Sequence, residues 1–137
     1  MTVIIDSNII FSALLNKNSR IVKQLFKPGF EYTSVNYVIY EIFNHKERLL
    51  SYSKLKDEEQ KEHFELIFAH IRLVPQSDIS FRSYYLAHRL IAETDMDDIA
   101  FVALAFELNA PLWTNDLPVR KAIEKYNGIR LFKPFEE

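Results

Sequence analysis

Apolar positions along this chain alternate between short continuous runs and stretches at helical spacing. Val3-Ile4-Ile5 is a β-branched run closed by Asp6, which predicts a buried strand. Ser7-Asn8 supplies capping side chains for a helix with Ile9, Ile10, Ala13 and Leu14 on one face. Ser19 opens a second short helix whose stripe is Ile21, Val22, Leu25 and Phe26, and Pro28-Gly29 stops it. Tyr32-Thr33 predicts a short second strand. From about Val35 a longer helix places Val38, Ile42 and Leu49 on one side. Asp57 opens another helix, with Glu58-Glu59 in its first turn and Phe64, Ile67, Phe68 and Ile71 along its face. Leu73-Val74-Pro75 reads as a strand, and Ser80 begins a helix carrying Tyr84, Ala87, His88 and Ile91. Ile99 to Leu108 is almost wholly apolar, as a central buried helix is. Pro111-Leu112-Trp113-Thr114 is a strand closed by Asn115-Asp116. A polar helix runs from Leu117 to Tyr126 and ends at Gly128, and Ile129-Arg130-Leu131 is a last strand.

Short strands alternating with helices predict an α/β fold with a parallel sheet and helices on both faces. There is no repeat, low-complexity segment or linker, so residues 1–137 read as one domain, with Lys133–Glu137 a frayed tail. The length of 137 residues allows one core of useful size. At 48% hydrophobic and 26% charged, the composition is that of a soluble globular protein.

Counting residue types narrows the chemistry. The absence of Cys removes disulfides, Cys–zinc sites, iron–sulfur clusters and a thiol nucleophile, and fits a reducing cytoplasm. Gly29 and Gly128 are the only glycines, so neither a Walker P-loop nor a GxGxxG turn can be built. The N-terminus lacks a basic n-region, and no apolar run approaches the ~20 residues of a membrane span, so no secretion and no membrane are expected. The formal net charge of −2 and pI of about 6.1 offer no bulk attraction to nucleic acid.

The candidate chemistry lies in the acids. Two predicted strands stop at an Asp: Val3-Ile4-Ile5-Asp6 and Leu112-Trp113-Thr114-Asn115-Asp116. In open α/β sheets ligands bind beyond the carboxyl ends of strands at a switch point. If the two strands are parallel neighbours, both carboxylates arrive there. Asp95, Asp97 and Asp98 precede the buried helix, and Glu41 interrupts an apolar run. Converging carboxylates with no adjacent cation either protonate or bind one. Oxygen-only ligands select Mg²⁺ or Mn²⁺, and such ions activate water and clamp phosphates. Each acid also has a structural reading: Asp6 and Asp116 as helix caps, Asp98 as a dipole partner, Glu41 as a solvated helix residue.

These segments resemble the PIN-domain family of nucleases. Asp6-Ser7-Asn8-Ile9-Ile10-Phe11-Ser12 is similar to the family's opening D-x-N segment. Asp98-Ile99-Ala100-Phe101-Val102-Ala103-Leu104-Ala105 is similar to its third-acid helix, and Ala110-Pro111-Leu112-Trp113-Thr114-Asn115-Asp116 to its fourth-acid strand end. Thr33-Ser34 through Glu41 is compatible with the second-acid region. The resemblance implies a three-layer α/β/α sandwich with a central, mainly parallel sheet and a Mg²⁺ or Mn²⁺ site. Its acidic quartet falls on Asp6, Glu41, Asp98 and Asp116, with Asn8 and Thr114 as accessory polar groups. It implies an RNA substrate and, for many small members, an antitoxin protein as partner; the 14% aromatic content also allows a homodimer face. The chain departs from many relatives in having no acid between Asp116 and Glu124, which weakens a second metal position. Asp95 and Asp97 compete with Asp98 for the third role. Register with Phe101 and Ala105 favours Asp98 and leaves Asp95 as an auxiliary metal ligand.

Other candidates rank below these. His45, His63, His70 and His88 match no zinc spacing. Tyr37/Tyr40 and Tyr84/Tyr85 are expected to be packing residues rather than base-stacking platforms. Arg20, Lys23 and Lys27, with Arg120, Lys121 and Lys125, are solvated faces or phosphate contacts. The leading reading is a Mg/Mn-dependent endoribonuclease, possible toxin of a toxin–antitoxin pair. The alternative is a non-catalytic RNA- or protein-interaction module. A phosphoacceptor of the response-regulator kind would need a Lys at the end of a late strand, which Ile129-Arg130-Leu131 lacks. With four of the 19 acids set aside as ligands, 15 remain against 17 bases, so the rest of the chain is +2.

Overall fold

The computed structural model describes residues 1–44, 57–92, 98–126 and 128–135. Among them, β1 (Thr2–Ile5) leads to α1 (Ser7–Leu15) and α2 (Arg20–Leu25), then β2 (Glu31–Val35) and α3 (Tyr37–Asn44). After α4 (Asp57–Ala69) come β3 (Ile71–Val74), a 3₁₀ turn (Gln76–Asp78) and α5 (Phe81–Ile91). The chain continues through α6 (Ile99–Leu108), β4 (Leu112–Trp113) and α7 (Leu117–Glu124). The strands form a parallel sheet in the order β3-β2-β1-β4. Strands added after β1 therefore go to opposite sides of it, which puts the topological switch between β1 and β4.

Strand alternation separates the cores. Val3 and Ile5 pack with Trp113 against α1–α4, while Ile4 packs with Leu112 against α5–α7. The pairs Ile4–Leu112 and Ile5–Trp113 are in register, so each neighbour presents its side chain to the same layer. Helix α6 touches β1, β2 and β4 on one side and α5 on the other. Its residues Ala100 through Ala105 are all buried, which accounts for its lack of a polar face. His63 is a core residue: its Nε2 lies 2.7 Å from the Ala13 carbonyl and ties α4 to α1.

Several sequence expectations need correction. The last strand is a single bridge, Leu131 to Leu112, with Leu112 N–H donating to Arg130 O and Phe132 N–H to Leu112 O. Pro134 has no N–H with which to continue the ladder. Helix α2 ends at Leu25 rather than at Gly29; Gly29 instead takes φ +93° in the turn into β2. Strand β2 extends through Val35, so the next helix starts at Tyr37. Its predicted side-chain partner Leu49 lies outside the described residues. Val38 and Ile42 occupy the buried side of α3, which leaves Tyr37 and Tyr40 stacked on each other at 5.6 Å on the opposite, exposed side. Tyr40 and Tyr85 are thus surface residues, while Tyr84 packs against the α5–α7 core. No helix among the described residues is long and apolar enough to cross a membrane.

Candidate functional site

Asp6 follows β1 directly, and Thr114 and Asp116 follow β4, so the parallel pairing of those strands delivers all three to one sheet edge. The strand pair extends to Asp6, whose N–H donates to the Trp113 carbonyl at 3.4 Å. Asp6 is only 2% exposed. Its Oδ1 accepts from Ile9 N–H at 3.0 Å, which caps α1; Ser7 and Asn8 are inside the helix rather than at its cap. Its Oδ2 accepts from the Thr114 hydroxyl at 2.5 Å, across 108 residues of sequence. Thr114 Oγ1 in turn accepts from Asp116 N–H at 3.1 Å. Asp116 Oδ1 caps α7 through Val119 N–H at 3.1 Å. One hydroxyl thereby ties the two strand ends together.

The electrostatics of Asp6 run against its hydrogen bonds. Burial raises its pKa above 3.8; the Thr114 and Ile9 bonds pull it down, the nearby Asp116 carboxylate raises it again, and Asn8 N–H lowers it. A carboxylate oxygen has two lone-pair sites, so the Asp6 carboxylate keeps accepting capacity beyond its bonds from Thr114, Ile9 and Asn8.

The remaining candidates reach this edge on helices. Helix α3 begins two residues after β2, at the same end of the sheet, and carries Glu41 in its second turn. Glu41 is half-buried, with Oε1 shielded from solvent. Helix α6 leads into β4 and so runs back along the sheet, which sets its N-terminus, and Asp98, at the carboxyl ends of the strands. Asp98 is buried and holds the N-cap position, yet its side chain makes no capping bond. Its φ of −88° and ψ of −1° differ from the extended backbone of the Asp6 and Asp116 caps. Asn8 is exposed on the first turn of α1. Asp95 and Asp97 lie outside the described residues.

The structure therefore joins Asp6, Thr114 and Asp116 directly and sets Glu41 and Asp98 on helices opening at the same edge. Among the described residues no group of three or more Asp, Glu or His side chains is spaced to hold a metal ion. The donors do fit a hard divalent cation in kind: they are all carboxylates, and the Asp6–Asp116 repulsion is what a cation between them would relieve.

Two supporting residues were not singled out in this role by the sequence. Ser34 Oγ donates to the Ile5 carbonyl at 2.7 Å and braces the end of β1. Arg120 Nη1 donates to the Thr114 carbonyl at 3.0 Å. Arg120 lies four residues after Asp116, on the first turn of a helix that Asp116 caps; that spacing is the signal that could have linked them. Of the other basic residues, Arg20 sits 4.1 Å over the ring of Phe135.

The sequence model of the PIN domain matches residues 4–122. No curated protein matches the chain. Several solved structures share its fold. VapBC2 from Rickettsia felis, crystallised with a DNA fragment from its promoter, aligns at TM-score 0.69 and 16% identity, covering 98% of this chain and 99% of that one. A toxin–antitoxin complex from Klebsiella pneumoniae aligns at TM-score 0.62 and 17% identity, again over 98% and 99% of the two chains.

Proposed function

Since the chain belongs to the PIN-domain family, we propose that it is a Mg²⁺- or Mn²⁺-dependent endoribonuclease and the toxin of a toxin–antitoxin pair. The observation carrying this reading is the meeting of Asp6, Thr114 and Asp116 where β1 and β4 end side by side at the topological switch. PIN-domain proteins generally use divalent metals. In this proposal Asp6, Glu41, Asp98 and Asp116 hold the metal, with Asp95 as an auxiliary ligand and Asn8 and Thr114 as accessory groups. A divalent ion there supplies Lewis-acid stabilisation of the scissile phosphate and a water of lowered pKa.

The chain's own residues prepare that chemistry. Thr114 fixes Oδ2 of Asp6, and Ile9 N–H fixes Oδ1, so the carboxylate cannot rotate freely. Burial of Asp6 keeps water from screening its charge, which strengthens its attraction to a cation. Asp116 is held by its cap to Val119 and by its own N–H bond to Thr114. An antitoxin as partner rests on the likeness to the two toxin–antitoxin structures, and the substrate class rests on the family.

Asp6→Asn tests the proposal. The variant keeps a capping side chain, so it folds, and it loses divalent-dependent cleavage of RNA together with the Mn²⁺ heat signal in calorimetry. Full cleavage by the variant would overturn the assignment. The capping bonds of Asp6 and Asp116 favour a second reading, a non-catalytic interaction module, because they give both acids a structural role. That reading expects no Mn²⁺ binding at millimolar concentration by the unmodified chain.

A further inference from the structure

Beyond the acidic edge, a cleft of 640 Å³ lies between α7 and the segment carrying Ile129 to Lys133. Its charged lining is Arg120, Arg130 and Lys133 against Glu124, three cations to one acid on a chain whose formal charge is −2. Its floor is apolar, from the buried Ile129, and Tyr126 stands at its wall with 56% of its surface exposed.

Arg120 links the cleft to the candidate centre. It lines the cleft and also donates to the Thr114 carbonyl, while the Thr114 hydroxyl binds Asp6. The parallel Leu112–Leu131 bridge places the lining segment along β4. Thr114 and Lys133 each lie two residues beyond that pair, so the Lys133 end of the cleft is level with the strand ends. An RNA strand entering an acidic centre needs its flanking phosphates neutralised, because the centre itself repels them until a cation is bound. Cations beside an exposed aromatic ring and an apolar floor suit a single strand, whose backbone follows the charges while an unstacked base lies on the ring.

We propose that this cleft binds single-stranded RNA on one side of the scissile phosphate. Arg130 and Lys133 contact phosphates, and Tyr126 stacks on a base. Arg120 joins the cleft to the strand end that carries Thr114. The choice of RNA as occupant rests on the nuclease reading; the position of the cleft and its charge do not.

The test compares RNA binding by the Asp6→Asn chain with the same chain also carrying Arg130→Gln and Lys133→Gln. The probe is a labelled unstructured RNA oligonucleotide titrated across a salt series. Both added substitutions are at exposed side chains, so folding is preserved. Losing two phosphate contacts flattens the slope of log K against log salt by about 1.4, at about 0.7 per contact on a single strand. Tyr126→Ala weakens binding by about tenfold at every salt concentration and leaves the slope alone. An unchanged slope in the double substitution overturns the cleft, and if the unmodified chain still cleaves RNA the nuclease reading survives. A flattened slope with no cleavage by the unmodified chain keeps the cleft and removes the nuclease. Capture of an acidic peptide that Arg130→Gln and Lys133→Gln abolish, with RNA binding unaffected, would make the cleft a protein-docking site and overturn the proposal.

Discussion

Asp6 at the end of β1 and Glu107 near the end of α6 both accept hydrogen bonds from backbone N–H and hydroxyl donors. Asp6 takes Ile9 N–H and the Thr114 hydroxyl. Glu107 takes Ser80 N–H at 2.8 Å and the Ser83 hydroxyl at 2.8 Å, tying α6 to the start of α5. Their electrostatics are opposite. Burial, and then Asp116, raise the Asp6 pKa despite its bonds. Glu107 is solvated, and its bonds from Ser80 and Ser83 lower its pKa. Hydrogen bonding alone therefore does not set the direction in which an acid's pKa moves. What separates the two is desolvation beside a second carboxylate, an arrangement that costs stability and that a fastening role does not need.

The strongest way to break this comparison is to neutralise both acids in turn. Asp6→Asn lowers divalent-dependent RNA cleavage at least about a hundredfold, whereas Glu107→Gln leaves the turnover rate as it was. Equal losses in the two variants would show that Asp6 acts through stability, as Glu107 does.

Thr114→Val comes next. It removes a hydroxyl that donates to Asp6 and accepts from Asp116 N–H, leaving two groups without that partner. Destabilisation of about 1–3 kcal/mol follows. On the proposed metal-site reading, in which Thr114 orients a ligand, cleavage falls by about ten- to a hundredfold. Denaturant melts and single-turnover rates separate the two effects. An active, destabilised variant would leave Thr114 a fastener only.

The pH dependence of stability sharpens the contrast. The folded-state pKa of Asp6 is raised from 3.8, so its contribution is intact below that value and lost as pH rises through the raised one. Asp6→Asn therefore melts above the unmodified chain at neutral pH in metal-free buffer, and the gap narrows on acidification. For Glu107, lowered from 4.5, the contribution is intact above that value and lost as pH falls through the lowered one. Glu107→Gln melts below the unmodified chain at neutral pH, and this gap closes only in acid. Melting temperatures of the three proteins across the acid range check both signs; a neutral-pH Asp6→Asn chain less stable than the original contradicts the buried-charge account.

The smallest effect is at Ser80, whose hydroxyl caps α5 through Ser83 N–H at 3.2 Å. Ser80→Ala costs about 1 kcal/mol of stability and leaves RNA cleavage unchanged. A loss of cleavage would connect the α5–α6 junction to the site.

Local sequence determined much of this protein. The β-branched run before Asp6, the Ser19 and Ser80 caps and the almost wholly apolar stretch of α6 are short-range signals, and the structure follows them. So is the placing of an acid directly after β1 and three residues after the Trp113 end of β4. Three features depended on the fold. The Asp6–Thr114 bond spans 108 positions and exists because β4 joins the sheet next to β1, a choice no local pattern encodes. The exposure of Tyr40 follows from which side of α3 meets the core. The basic cleft follows from the bridge that lays Leu131 along Leu112. Helices, strands and caps form from neighbours a few residues apart, so a sequence displays them. Burial, charge proximity and clefts arise between distant segments, and only tertiary packing decides which of those segments meet.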